Sequence, residues 1–409
     1  MNDQMQAAMA EATHLTRAGR LAEATALIQR TLGGMSAPAG RSTCADVPNE
    51  AVVRVVEVTP TLPEPTRQGG VGPSPGPTSA NPAVPPHTPS LDALQLPGSL
   101  HGSTRRGQPL KPGVVSPSSH PGGKFVDGAY RNTAGTRRYK LYIPRSYTGQ
   151  AVPLVIMLHG CTQNSVDFAA GTHMNVFAEE KTFLVAYPEQ VSSANNAKCW
   201  NWFQPADQQR GMGEPSLIAG ITRQIMNSYH VDSDRVYVAG MSAGGAMAVI
   251  MAATYPDLYA AVGVHSGLAY CAAHDVRSGF AVMRRGAGQS ARRLTTVIPL
   301  IAFHGDLDTT VSPVNVDHLL DQWLGATGHV QSRAAQSTKV ERGQVASGRA
   351  YTRTIYHDAS GHAFAEKWLV HQAGHVWSGG SSAGSFTDPK GPNASTELLR
   401  FFAEQSRKR

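Results

Sequence analysis

The segment from Val236 to Gly245, VYVAGMSAGG, constrains this chain more than any other. An apolar run of strand character leads into Gly240-Met241-Ser242-Ala243-Gly244, and an apolar, helix-favouring stretch follows. The pattern G-x-S-x-G between a strand and a helix is typical of a sharp turn that presents a serine. Glycine suits the positions two before and two after Ser242, because backbones approach closely there. We therefore predict that Ser242 is a nucleophile at the end of a strand.

The helix that follows Ser242 predicts an anion site beside the hydroxyl. The first N–H groups of a helix have no partner within the helix, and the helix dipole adds partial positive charge at the same end. The backbone N–H of Ala243 is therefore one expected donor to an oxyanion.

Proline usage divides the chain of 409 residues into parts. Residues 35–122 hold 17 of the 27 prolines, in stretches such as GPSPGP and NPAVPPHTP. Such a segment lacks the apolar pattern that a packed core needs, so we predict a disordered linker there. The remaining parts are residues 1–34 and a predicted catalytic domain at 123–409, which is long enough to bury a large core.

Residues 1–34 are expected to form a helical hairpin. Apolar side chains recur at helical spacing on both sides of a break at Ala18-Gly19-Arg20. One hairpin is too small to build its own core. Its apolar stripe is therefore expected to dock on the catalytic domain, on a second copy of the chain or on a hydrophobic surface.

Charge and cysteine content exclude several classes of protein. The net charge is +7, but the basic residues are scattered, so no nucleic-acid partner is predicted. No stretch is long enough for a membrane span, and the N-terminus has no basic start followed by an apolar core. The four cysteines fit no zinc pattern, and no metal or cofactor is predicted. A cytoplasmic location follows, with export by a route without a classical signal as the alternative.

Strands and helices alternate from residue 124 onward. Two strands flanking Asn132-Thr133-Ala134-Gly135 are expected to form an antiparallel pair. After them, strand patterns around 154–158, 183–187, 235–239, 260–264, 298–303 and 351–356 alternate with helix patterns around 167–179, 216–228, 244–254, 314–323 and 394–404. This order predicts an α/β fold, a mostly parallel sheet with helices on both faces. Ligands bind at the carboxyl ends of the strands in such sheets.

A nucleophilic serine needs a base, and the base needs a carboxylate to orient it. In the fold that carries this turn the order is serine, acid, histidine, so both partners must follow Ser242. Asp308 is the preferred acid because it lies at the tip of the loop after an apolar strand, whereas Asp306 could bind loop amides. Four histidines follow Asp308 and are candidates for the base: His357, His362, His371 and His375. His375 is preferred because glycines bound its loop, whereas His362 precedes a strand.

A second oxyanion donor is expected from the loop after the strand at 154–158. Gly160 allows close backbone approach, so the N–H of Cys161 or Thr162 could face that of Ala243. His159 precedes the nucleophile in the chain and is therefore interpreted as a brace for this loop.

Five motifs together resemble the poly(3-hydroxybutyrate) (PHB) depolymerase family of esterases. They are LHGCTQN at 158–164, CWNWF at 199–203, GMSAGG at 240–245, HGDLDTTV at 304–311 and GHVWSGG at 374–380. The resemblance covers residues 124–402 and implies an α/β-hydrolase with Ser242, Asp308 and His375 as its triad. It also implies, from secreted relatives, that Cys161 and Cys199 are a bonded pair beside the active site; for a cytosolic enzyme the expectation differs. We expect proximity without a bond, because cytosolic proteins keep their thiols reduced.

The aromatic residues in two of these motifs are candidates for an apolar substrate cleft. Trp200, Trp202 and Trp377 stand in motif loops, and each ring can bury a large apolar area. At least one of the three is expected to line the cleft.

The resemblance leaves the substrate open. The leading hypothesis is a serine esterase acting on a hydroxyalkanoate polyester, with a PHB granule surface as partner. Feruloyl and acetylxylan esterases share the family's motifs, so soluble plant esters are the nearest alternative. A noncatalytic granule-associated protein is a third, which an intact triad disfavours.

Overall fold

The computed structural model of the chain describes Glu11 and residues 122–287, 294, 296–326, 338–358 and 360–407. Apart from Glu11 and Gly122, the predicted hairpin at 1–34 and the predicted linker at 35–122 lie outside these residues. Within the part that is described, no helix combines the length and the apolar character that crossing a membrane requires.

A ten-stranded sheet forms the centre of the domain, in the order β1-β2-β4-β3-β5-β6-β7-β10-β9-β8. The six strands from β4 to β10 along this order run parallel, and two antiparallel strands extend each edge. The strands are β1 Lys124–Asn132, β2 Gly135–Ile143, β3 Val152–Leu158, β4 Leu184–Glu189, β5 Val231–Met241, β6 Ala261–His265, β7 Leu300–Gly305, β8 Thr338–Gln344, β9 Ala350–His357 and β10 Ala363–Val370. A two-stranded pair, β11 Trp377–Ser378 and β12 Thr387–Asp388, lies outside this sheet.

Helices cover both faces of the sheet, as predicted. They are α1 Ser165–Thr172, α2 Met174–Lys181, α3 Gly213–Ser228, α4 Ala243–Thr254, α5 Val276–Arg285, α6 Val314–Ala326 and α7 Ala394–Ala403. Alternation along β3 separates two cores: Leu154 and Ile156 join the core with α3, α4 and α6, whereas Val155 and Met157 join the core with α1, α2 and α7. Burial on both faces explains why the central strands are almost continuously apolar.

The single helix predicted at 167–179 is wrong, because the chain forms α1 and α2 with a break between them. The break is at His173, whose φ of 55° is left-handed and interrupts the helical hydrogen-bond ladder. Helix α5 and strand β8 are among the elements that were not predicted. Helix α5 begins with a capping box in which Asp275 and Ser278 satisfy each other's backbone N–H groups. Strand β8 is polar and lies at the edge of the sheet.

The parallel strands bring the predicted functional loops to one edge. β3 leads into the loop of Cys161, β5 into Ser242, β7 into Asp308 and β10 into the loop of His375. Carboxyl ends of neighbouring parallel strands meet at the same edge of a sheet. The topology therefore gathers residues that lie more than 200 positions apart in sequence.

Candidate active site

Ser242 occupies a sharp turn between β5 and α4. Its backbone has φ of 56° and ψ of −121°, a region that residues other than glycine rarely adopt and that is found at functional sites. Its N–H donates to the carbonyl oxygen of His265, 2.9 Å away, and 8% of the residue is exposed. The turn is thus strained, held by the neighbouring strand and still accessible.

The glycines on both sides of this turn are required by packing. A Cβ at Gly244 would lie 2.1 Å from the carbonyl oxygen of Leu158, and a Cβ at Gly240 would lie 2.3 Å from that of Gly244. Both contacts involve backbone, which cannot rotate away. The close approach of β3, β5 and α4 therefore depends on the missing side chains.

Asp308 and His375 meet at the ends of β7 and β10. Asp308 Oδ2 and His375 Nδ1 are 2.7 Å apart, and Asp308 Oδ1 accepts from the backbone N–H groups of Thr310 and Val311 at 2.9 and 2.8 Å. The carboxylate can accept a hydrogen bond from Nδ1 of His375 only if that nitrogen carries the proton. Nε2 of His375 is then left with a lone pair. This is the form that a general base requires.

A second histidine contacts the same carboxylate. His304 Nε2 lies 2.8 Å from the carbonyl oxygen of Val311 and 3.4 Å from Asp308 Oδ2. Burial on its own would raise the pKa of Asp308, but the charge of His375 and hydrogen bonds from His304 and His375 outweigh it. The pKa of Asp308 is consequently held well below its usual range, and the group stays ionised at neutral pH.

In the loop after β3, three backbone N–H groups already have acceptors. Gly160 N–H donates to the side chain of Gln163 at 2.9 Å, Gln163 N–H to the carbonyl of Gly160 at 3.3 Å, and Thr162 N–H to the carbonyl of Ala197 at 2.7 Å. Of the two expected donors, Thr162 is therefore excluded, because its N–H is already used. Among the described residues, none accepts the N–H of Cys161.

This loop lies against the turn of Ser242. A Cβ on Gly160 would be 3.5 Å from Cβ of Ser242 and 3.5 Å from the carbonyl oxygen of Met241. Cys161 directly follows Gly160 in the chain, so its N–H lies close to the turn of Ser242. Ala243, the first residue of helix α4, directly follows Ser242.

Cys161 and Cys199 form a disulfide. The expected proximity is confirmed, but the expectation of two reduced thiols is wrong. Gln190 holds the loop of Cys199, because its Nε2 donates to the carbonyl oxygen of Cys199 at 2.9 Å. The resemblance to secreted relatives implied the bond, whereas the expected cytosolic location predicted reduced thiols.

A buried carboxylate fixes the rest of the Cys199 loop. Glu214 accepts from the backbone N–H and from the side-chain amide of Asn201, at 2.7 and 2.9 Å, and pairs with Arg137 at 3.2 Å. Burial, followed by the charge of Asp207, raises the pKa of Glu214. Sequence inspection missed this role, since the partners are far apart in the chain.

His159 braces the loop after β3, as interpreted from sequence. Its Nε2 accepts from the backbone N–H of Gln190 at 3.0 Å, and its Nδ1 lies 2.8 Å from the carbonyl oxygen of Gly160. Burial lowers the pKa of His159, so the ring is neutral and can accept from the amide. His159 therefore acts through loop geometry.

Two of the three tryptophans expected near the cleft are core residues. Trp200 is fully buried beside His159, and Trp377 is 1% exposed, with its Nε1 donating to Ser395 at 3.1 Å. Their rings fill the space under the loops and present almost no surface to a substrate, which corrects the expectation for both. Trp202 keeps 6% exposure and packs edge-to-face on Phe203. Its role in substrate binding stays a prediction.

The histidines passed over as bases have structural partners. His371 Nδ1 lies 2.9 Å from Asp306 Oδ2, and Asp306 Oδ1 accepts from Gln372 N–H at 2.6 Å. Asp306 thus binds a loop amide, as anticipated for it. His362 precedes β10, also as anticipated.

Comparison with known proteins adds to this geometry. A family model described as Esterase PHB depolymerase matches residues 137–347, just over half of the chain. The chain belongs to this family. The match includes Ser242 and Asp308, whereas His375 lies beyond it.

The relatives that the chain resembles differ in the substrate that their names state. The chain is 30% identical over 246 residues to poly(3-hydroxyalkanoate) depolymerase C of Paucimonas lemoignei, which covers 57% of each protein. It is 29% identical over 226 residues to a probable acetylxylan esterase A of Neosartorya fischeri, covering 51% of this chain and 60% of that protein. It is 28% identical over 251 residues to feruloyl esterase B of Neurospora crassa, covering 56% and 80%. The match thus spans less than two thirds of the first two relatives.

One solved structure supports the fold. Acetyl xylan esterase from Aspergillus awamori superposes with a TM-score of 0.51 at 21% identity, over 66% of this chain and 94% of that one. Together with the parallel sheet, this establishes the α/β-hydrolase fold.

Proposed function

We propose that the chain is a serine esterase in which Ser242, His375 and Asp308 form the triad and an acyl-enzyme forms on Ser242. The observation that carries the proposal is the 2.7 Å contact between Asp308 and His375 at the sheet edge where the strained Ser242 turn lies. Residues with no common task would have no reason to converge there from three separate loops.

The reaction follows from the protonation states. His375 Nε2 takes the hydroxyl proton of Ser242 as Oγ attacks the ester carbonyl, and Asp308 stabilises the resulting imidazolium. The backbone N–H groups of Ala243 and Cys161 stabilise the oxyanion of the tetrahedral intermediate. His375 then gives its proton to the departing alcohol. In the second half, water attacks the acyl-enzyme as the same Nε2 takes its proton, and His375 returns this proton to Ser242 Oγ when the acid is released.

We further propose a hydroxyalkanoate polyester, such as PHB or its oligomers, as substrate. Membership of the PHB depolymerase family and the similarity to poly(3-hydroxyalkanoate) depolymerase C support this choice. Similarity to the acetylxylan and feruloyl esterases makes soluble esters of plant polysaccharides the second candidate. A location at the surface of PHB granules would fit the first substrate, whereas the Cys161–Cys199 disulfide favours an oxidising compartment.

A substrate panel tests the proposal. Purified full-length protein is incubated with amorphous PHB, crystalline PHB, acetylated xylan and methyl ferulate, with Ser242→Ala as the matched control. We expect release of 3-hydroxybutyrate or its oligomers from amorphous PHB, and none with the control. Turnover of only acetylated xylan or methyl ferulate would replace the polymer by the second candidate. No Ser242-dependent turnover of any ester would reject the esterase function itself.

A further inference from the structure

His265, the last residue of β6, contacts both arms of the candidate site. Its carbonyl oxygen accepts the N–H of Ser242 at 2.9 Å. Its ring Nε2 accepts the backbone N–H of Ser378 at 3.0 Å, three residues beyond His375. Only 2% of His265 is exposed. One residue therefore connects the turn of the nucleophile with the loop of the base.

The contacts of the ring fix its tautomer. A backbone N–H can only donate, so Nε2 must offer a lone pair to Ser378. Nδ1 then carries the proton and lies 3.1 Å from Ser266 Oγ. Burial, followed by the positive charges of His304 and His375, lowers the pKa of His265 to about 3, against the opposing charge of Asp308. The ring is thus neutral at neutral pH and keeps its acceptor.

Aromatic packing fixes the orientation of the ring. The His265 ring stacks on Phe303 at a centroid distance of 5.7 Å and an interplanar angle of 11°, and on Trp377 at 5.2 Å and 28°. Trp377 is anchored in turn by its hydrogen bond to Ser395. The acceptor at Nε2 cannot swing away without disturbing two large buried side chains.

The loop that carries His375 is held at both ends. At its start, Asp306 binds the side chain of His371 and the N–H of Gln372. At its end, His265 binds the N–H of Ser378. Displacement of a reacting group by about 1 Å can cost about 100-fold in rate, so the second anchor matters for the position of the imidazole.

We propose that His265 is a positioning residue that fixes the loop of His375 relative to the turn of Ser242. Substrate does not touch it, and it transfers no proton. The proposal rests on the esterase function above, and its test separates the two.

Two polar substitutions of similar chemistry test it. In His265→Gln, the side-chain oxygen can reach about the position of Nε2 and accept from Ser378. In His265→Asn, the shorter side chain ends near the position of Nδ1 and leaves the Ser378 N–H without an acceptor. On p-nitrophenyl butyrate we expect kcat of the Asn variant to fall about 10- to 100-fold with KM nearly unchanged, and the Gln variant to recover most of the loss.

A core variant controls for plain destabilisation. Leu319 is fully buried in α6 and has no place in the site, so Leu319→Ala lowers stability through a cavity. Below its melting temperature it should keep the kcat of the wild type. Equal kcat in the Gln and Asn variants, or an equal loss in Leu319→Ala, would overturn the positioning role.

A measurement on the wild-type protein covers the case in which the variants do not fold. Histidine-selective 15N labelling reports the tautomer of His265, which should be protonated at Nδ1 only, from about pH 4 to 8. Protonation at Nε2 would overturn the proposal. Wild-type protein that neither hydrolyses esters nor reacts with a fluorophosphonate would reject the esterase function, and the positioning role with it.

Discussion

Replacing Gly244 by alanine tests whether the turn at Ser242 depends on close backbone packing. Gly244 lies in the first turn of α4, and an added Cβ would be 2.1 Å from the carbonyl oxygen of Leu158 and 2.5 Å from that of His159. Real Cβ atoms essentially never come closer than 3.0 Å to such atoms. The start of α4 or the end of β3 must therefore move by about 1 Å.

The magnitude follows from two opposing effects on stability. Overpacking of this kind costs about 1 to 3 kcal/mol, while the better helix propensity of alanine recovers about 1 kcal/mol. The melting temperature should therefore fall by only a few degrees. Activity is the sharper readout, because a shift of about 1 Å at the oxyanion site should lower kcat/KM about 100-fold.

A graded set of alanine variants makes the result interpretable. At Gly245 the nearest atom to an added Cβ is the carbonyl oxygen of His265, 3.1 Å away, so a smaller loss is expected. At Gly325, in α6, an added Cβ meets no atom within 4 Å, so activity should be unchanged. Each variant is assayed with p-nitrophenyl butyrate and by thermal melting. Wild-type kcat/KM in Gly244→Ala would refute the packing argument.

Three other predictions concern the triad, the buried titratable groups and the N-terminal segment. Ser242→Ala and His375→Ala should each lower kcat/KM about 1,000-fold or more, with circular dichroism unchanged, because a triad works as a unit; near-normal turnover by either folded variant would contradict the mechanism. Stability should fall as the pH drops: the pKa of His265 is lowered from 6.5 to about 3, so the unfolded chain binds more protons between these values and the free energy of unfolding decreases by about 2 kcal/mol from pH 7 to pH 5. The lowered pKa of Asp308 acts in the same direction, but only below about pH 4. Urea unfolding at both pH values measures the effect, and an unchanged free energy would mean that His265 is not held neutral. Deleting residues 1–34 should weaken binding to amorphous PHB granules and leave hydrolysis of p-nitrophenyl butyrate intact; loss of both would mean that the segment packs on the catalytic domain.

The sequence predicts those parts of the site that local patterns encode. Glycines at fixed distances from Ser242 require a sharp turn, and chain order restricts the acid and the base to positions after Ser242. Apolar strands alternating with helices then bring Asp308 and His375 to the same edge. The observed 2.7 Å contact between the two agrees with that reasoning.

The remaining features depend on contacts between distant segments. His265 and Ser378 are 113 positions apart, and nothing in either local pattern indicates their hydrogen bond. The burial of the tryptophans was also not predictable from local pattern, since an aromatic residue in a motif loop can face the substrate or fill the core. Trp200 and Trp377 fill the core, where their rings pack beside those of His159 and His265.

Active-site labelling tests the central claim most directly. The full-length protein is treated with a fluorophosphonate, and the modified peptide is identified by mass spectrometry while esterase activity is followed in parallel. We predict one adduct per chain, on Ser242, formed at the rate at which activity is lost. Complete inactivation with Ser242 unmodified, or full activity with Ser242 modified, would contradict the assignment of Ser242 as the nucleophile.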